Sequence, residues 1–156
     1  MMAISLWQPW ASFLVHGFKT IETRHWKPRC KIPCTLVIHA AKRQEQRIRD
    51  LCHNLAFHQA LAKLGYHGSS QMDYDHLPYG CLIGEVTLYE IQRTEEAVLD
   101  LQREGKWSEI EFGDYSPGRW AWHCMRPLVY PEPLPLRGRQ GMWTLSIDWE
   151  NWKANT

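Results

Sequence analysis

Residues 80–91, GCLIGEVTLYEI, carry apolar and β-branched residues with almost no interruption. Such a run reads as a strand buried on both faces, with Gly84 marking a bulge or a close backbone approach. The chain has 156 residues, enough for one core, so this strand must belong to the sheet that defines the fold. Shorter runs join it: Ala3–Leu6, Lys19–His25, Cys34–Ala40 (CTLVIHA), residues 119–125 (RWAWHCM) and residues 142–148 (MWTLSID) all read as strands.

Helical patterns lie between the strands. Pro9 suits a first helical turn, where its missing N–H is not needed, and Trp10, Phe13 and Leu14 then share a face up to a stop at Gly17. Residues 43–64 read as one long helix. Its apolar stripe runs through Ile48, Leu51, Cys52 and Leu55, then continues slightly rotated through Phe57, Ala60, Leu61 and Leu64. Residues 65–78 read as a polar loop. Thr94 is placed to cap a third helix, with Glu95 and Glu96 in its first turn and Ala97 where a capping box would need an acid. Pro127–Pro135 reads as an extended connector. About six strands with three interspersed helices predict an α+β fold, a small β-barrel with flanking helices. The chain is expected to form a single domain over residues 1–152.

Composition narrows the function classes. A net charge of +1 argues against a uniformly basic nucleic-acid coat and leaves room for a local basic patch. Nine tryptophans are more than a core of this size hides, so some must line a cleft or surface. No apolar run reaches membrane-spanning length, and no signal peptide is evident, so no membrane partner is expected. The five cysteines, Cys30, Cys34, Cys52, Cys81 and Cys124, form no regular framework and read as free thiols in a reducing cytoplasm. Zinc held by Cys30, Cys34 and His25 or His39 lacks the second cysteine pair of a four-cysteine site, so no metal and no cofactor are expected. No GxSxG, Walker loop or HExxH is present.

The chemistry concentrates in SLWQPWASFLVHGFKTIETRHW, residues 5–26. Glu22 and Arg24 share one face of a strand, and Lys19 leaves the turn after Gly17. The bland reading is a solvated, ion-paired strand face. The sharper one has Lys19 and Arg24 gripping phosphate and Glu22 accepting from an exocyclic amine, with Trp7 and Trp26 as stacking faces. Trp10 is assigned to helix packing. His39 and Lys42 end a strand, where Lys42 is a phosphate contact or an ordinary surface lysine. Arg137, Gly138, Arg139 and Gly141 form a basic turn that reads either as an anion site or as a plain hairpin.

These residues carry a resemblance. Gln8-Pro9-Trp10-Ala11, then Gly17, Lys19, Glu22 and Arg24 in G-x-K-x-x-E-x-R spacing, resemble the start of the ASCH (activating signal cointegrator homology) domain, in the PUA-like superfamily. The likeness continues through LVIHAAK, PYGCLIGEVTL, RWAWHC and PLRGRQGMWTL, while residues 43–76 are less typical of it and are expected as a helical insertion. It implies a small β-barrel with a cleft, lined by the GxKxxExR segment, that accepts RNA or a modified nucleotide. Together with the residue readings above, it gives as nucleic-acid-binding candidates Trp7, Gln8, Lys19, Glu22, Arg24, Trp26, His39, Lys42, Arg137 and Arg139. Some relatives resemble hydrolases, either amidohydrolases of acylated cytidine or ribonucleases. In that alternative Lys19 and Glu22 would be catalytic, with Thr20 or Thr23 nearby and Glu85 or Glu95 as a second carboxylate. The amidohydrolase pattern has a threonine where this chain has Glu22, and its second carboxylate has no clear match, so a binding module is preferred, expected as a monomer. A protein-interaction adaptor using exposed indoles is the third reading.

Overall fold

The structure, a computed structural model, describes residues 1–65, 72–146 and 152. Six strands form one sheet: β1 (Met2–Leu6), β2 (Ile21–Arg24), β3 (Cys34–Ala40), β4 (Cys81–Arg93), β5 (Trp120–Pro135) and β6 (Met142–Thr144). Their order is β2-β5-β4-β3-β1-β6, antiparallel except for the parallel pair β1–β3. The sheet curls into a half-barrel, and its ladders show why. Register shifts interrupt β4 against β5 at three places and β3 against β4 at Ile38/His39. An extra residue in one strand bends it and increases its twist. Gly84 sits at one of these shifts. A Cβ there would run into the Leu128 carbonyl and lie 2.9 Å from the Val15 side chain, so only glycine lets β5 and the first helix close in.

That helix, α1 (Trp10–Val15), packs against the sheet at β4, β3 and β5. Leu14 and Val15 join Ile4, Leu36, Ile38, Leu88 and Trp122 in the main core. Its opposite side carries Phe13, which meets Phe57 and Phe112 with ring centroids 5.8 and 4.9 Å away. Phe57 belongs to α3 (Leu55–Lys63), which follows α2 (Gln46–Leu51). Phe112 caps α6 (Trp107–Glu111). The two clusters together leave α1 sandwiched between sheet and outer helices. Trp10 joins the outer one, meeting the Phe57 ring edge-on at 5.9 Å.

Several sequence expectations are corrected here. Residues 43–64 are not one helix. The chain turns at Cys52–Asn54, and Asn54 adopts extended dihedrals (φ −63°, ψ 144°) before α3 begins. The rotation of the apolar stripe is the trace of that break. Thr94 does not cap its helix. Arg93 is the N-cap of α5 (Thr94–Arg103), and the Thr94 hydroxyl instead donates to the Ser116 carbonyl at 2.8 Å. The proline-rich stretch is no separate connector but the second half of β5. Since β2 pairs only with Trp120–His123, the rest of β5 has a free edge, where missing proline N–H groups cost no ladder bond. A short helix, α4 (Met72–Asp75), lies in the segment expected to be all loop, and α6 has no counterpart among the sequence expectations. Of the closing strand expected at 142–148, Met142–Thr144 is observed, and residues 147–148 lie outside the described residues. Cys30 and Cys34 are joined as a disulfide, while Cys52, Cys81 and Cys124 are free and buried. No helix among the described residues is long and apolar enough to cross a membrane.

Candidate nucleic-acid interface

Gln8 is where the N-terminal motif begins, and it is fully buried. Its amide N–H donates to the Pro78 carbonyl at 2.8 Å, and its carbonyl oxygen accepts from the Ser12 N–H at 3.1 Å. Both ends of the side chain are therefore spent on tying the start of α1 to the segment before β4. The side chain braces the fold and does not line the cleft.

The charged string behaves similarly until its last member. Lys19 is 2% exposed, and its ammonium donates to the Ile21 carbonyl and to Glu22 Oε2, the latter at 2.9 Å. Glu22 Oε1 lies 3.0 Å from Arg24 Nε. Burial alone would push the Glu22 carboxyl up, but the charges of Lys19 and Arg24, with the Lys19 hydrogen bond, hold it below the ordinary carboxylate range. The string is thus a buried lysine–glutamate pair with an arginine at its outer end. Arg24, about a quarter exposed, reaches across to the Ser5 carbonyl at 3.4 Å and lies 6.0 Å from the Trp26 ring centroid.

Arg24 is the one residue of the G-x-K-x-x-E-x-R set that enters the main cleft, a concavity of about 1050 Å³. Trp7 and Trp26 line the same space, as do His25, His39, Lys42 and the turn Arg137–Gly141. Lys/Arg side chains in the lining come from Arg24, Lys42, Arg43, Arg137 and Arg139, and no Asp or Glu is among the lining residues described. Lys42, Arg137 and Arg139 form no ion pair among the described residues, whereas Arg43 pairs with Glu45 at 2.7 Å. A protein of near-neutral charge thus places five Lys/Arg side chains around one opening, three of them with no ion pair among the described residues.

The walls have definite supports. Trp26 is set edge-on against the buried Trp122 at 4.8 Å. Arg43 and Arg47 lie 5.3 and 5.5 Å from the Trp7 ring centroid, and Arg139 lies 5.9 Å from that of Trp143. His39 is 2% exposed, with Nε2 at 2.9 Å from the Leu136 carbonyl, so that nitrogen carries the proton and donates. Burial pushes the imidazole below its ordinary range, against the pull of that carbonyl. This bond docks the basic turn onto β3. Gly138 completes the contact: a Cβ there would lie 2.5 Å from His39 Nδ1 and 2.8 Å from Ser5 Oγ. Glycine at 138 is what lets Arg137 and Arg139 flank the cleft at this depth.

Of the residues that the sequence marks as binding candidates, Trp7, Arg24, Trp26, His39, Lys42, Arg137 and Arg139 all line this cleft. Gln8, Lys19 and Glu22 are buried and do not line it. Ser5, His25 and Arg43 also line it, although the sequence names none of them as a nucleic-acid-binding residue. Arg43 reads as the exposed start of a helix, and only the tertiary contact with Trp7 reveals its place. A further carboxylate has no sequence signal. Glu109 of α6 accepts from the Thr20 N–H (2.8 Å), the Thr20 hydroxyl (3.0 Å) and the Ile21 N–H (3.0 Å), anchoring the start of β2 across 88 or more residues. Glu85 accepts from the Tyr130 hydroxyl at 2.9 Å, and Glu95 from the Gly118 N–H at 2.8 Å.

A curled α+β half-barrel with a basic, indole-walled cleft at its mouth defines the class. The ASCH domain profile matches residues 4–133, and the chain belongs to the ASCH domain family. Solved structures agree on the fold. ASCH from Zymomonas mobilis superposes with a TM-score of 0.59 at 20% identity, covering 99% of this chain and 92% of that one. A serine-to-alanine variant of that same bacterial protein gives 0.58 at 20%, covering 99% and 93%. Among curated proteins, Activating signal cointegrator 1 of Homo sapiens is 26% identical over 142 residues, and that of Mus musculus 25% over 145. Each match covers 91% of this chain and 22% of the relative, so the chain spans about a fifth of those proteins' length.

Proposed function

We propose that the protein binds single-stranded RNA, or a modified nucleotide within it, in the cleft bounded by Trp7, Arg24, Trp26, Lys42 and the Arg137–Gly141 turn. One observation carries the reading: the cleft lining has five Lys/Arg side chains, no carboxylate and two indoles. Phosphates are held by cations and bases by aromatic faces, and the cleft lining contains both, with Trp26 as the stacking candidate whose ring is not covered by two arginines as that of Trp7 is. Membership of the ASCH family supports the same class of ligand. A hydrolytic reading that uses Lys19 as a base has little support. Its amine is sealed from solvent, donates to a carbonyl and a carboxylate, and does not line the cleft.

Fluorescence polarisation with a labelled single-stranded RNA tests the proposal. Arg137→Ala and Arg139→Ala should each weaken binding. Trp26→Ala should cost about 1–3 kcal/mol, the usual worth of one stacked base. Equal affinity in all three variants would sink it.

A further inference from the structure

Beside the cleft, on the β2–β5–β4 end of the sheet, lies a second group of cations. Trp120 is the direct cross-strand neighbour of Arg24 on β2 and of Arg93 on β4. Its half-buried indole is contacted by Arg93, with the guanidinium carbon 3.9 Å from the ring centroid, and by the Lys27 ammonium at 4.1 Å. Lys27 follows Trp26, which lines the cleft. Both cations are exposed, and neither forms an ion pair among the described residues. Glu95 feels the Arg93 charge, but its carboxylate is engaged by the Gly118 N–H and the Thr94 hydroxyl. Arg119, also close by, is different: it is tied to Asp114 at 3.3 Å.

We infer that Lys27 and Arg93 extend the cleft into a track for a continuing nucleic-acid strand, so that the natural ligand is a stretch of RNA and not a free nucleotide. The inference rests on the proposed RNA-binding reading and deepens it. Arg24 is the hinge of the track, because it lines the cleft and also stands opposite Trp120. Two strand spacings separate Arg24 from Arg93, roughly 10 Å, so a backbone leaving the cleft past Arg24 meets the second pair of cations at once. The indole holds the two cations in place with its ring. Both cations lie against the indole, so the outer site offers charge to phosphates.

The experiment uses two single-stranded RNAs, one of about 3 nucleotides that fits the cleft and one of about 12 that overruns it, comparable to the site size of a small nucleic-acid-binding domain. The double variant Lys27→Gln/Arg93→Gln removes both charges and keeps part of each aliphatic stem. A thermal melt matching the wild type establishes that the fold is kept. With the longer RNA, the slope of log affinity against log salt should fall by about 1.4, two contacts at about 0.7 each. With the shorter RNA it should not change. An unchanged slope on the longer RNA, in a protein whose Arg137 and Arg139 variants still lose affinity, overturns the track and leaves the cleft standing. Equal losses on both RNAs overturn it as well, since the pair would then act through the cleft. Failure of the wild type to bind either RNA overturns both readings.

Discussion

Replacing Lys19 with methionine isolates the buried half of the charged string. The substitution keeps most of the stem and removes the ammonium. Glu22, whose side chain is 10% exposed, is then left with Arg24 at 3.0 Å as its ion-pair partner. Breaking a buried ion pair from one side costs about 3–5 kcal/mol, because the surviving charge stays desolvated. Arg24 still offsets part of that, which places the expected loss near the lower figure, about 3 kcal/mol. For a chain of this size, that corresponds to a melting temperature lower by about 6–12 °C. Urea unfolding of the wild type, Lys19→Met, Glu22→Gln and the double variant gives the numbers directly. The double variant should recover much of the single loss, since it removes both the buried carboxylate charge and its counter-charge. A Lys19→Met loss under about 1 kcal/mol, the range of a solvent-exposed pair, would refute the assignment of Lys19 and Glu22 as a buried brace.

The same pair sets a pH dependence. The Glu22 carboxyl lies below its ordinary range in the folded protein, so its contribution is fully present above the unfolded value, about 4.3, and is lost as pH falls through the lower folded value. An acid-unfolding curve should lose part of its steepness below about pH 4 in Glu22→Gln. Gly138→Ala must push His39 or the basic turn aside, so it should weaken RNA binding while Lys42→Ala leaves stability unchanged; polarisation and melting curves on the two variants check this. Trp10→Ala removes the ring packed on Phe57 and should cost about 3 kcal/mol in urea unfolding.

Strand positions are legible in the sequence because β-branched runs and turn residues are local signals, and six strands result. The break within residues 43–64 is less so, because the apolar stripe barely shifts where the chain turns. The cleft residues of the basic turn and of the first motif can be named from residue type. Their relative depth cannot. Whether Lys19 faces ligand or core depends on Glu22, Arg24 and the Ile21 carbonyl closing around it, which is a tertiary outcome. Glu109 is invisible in the sequence for the same reason: a single carboxylate on a short helix carries no mark of the distant backbone N–H groups it accepts from.

If the cleft is an electrostatic seat for RNA, the salt dependence of binding reports it most directly. Affinity for a single-stranded RNA would be measured across a salt series for the wild type and for Lys42→Ala/Arg137→Ala/Arg139→Ala, which removes the cleft cations that have no ion pair among the described residues. The wild type should show a steep negative log–log slope, and the triple variant a slope shallower by about 2, three contacts at about 0.7 each. A wild-type slope near zero, or the same slope in both proteins, would contradict it.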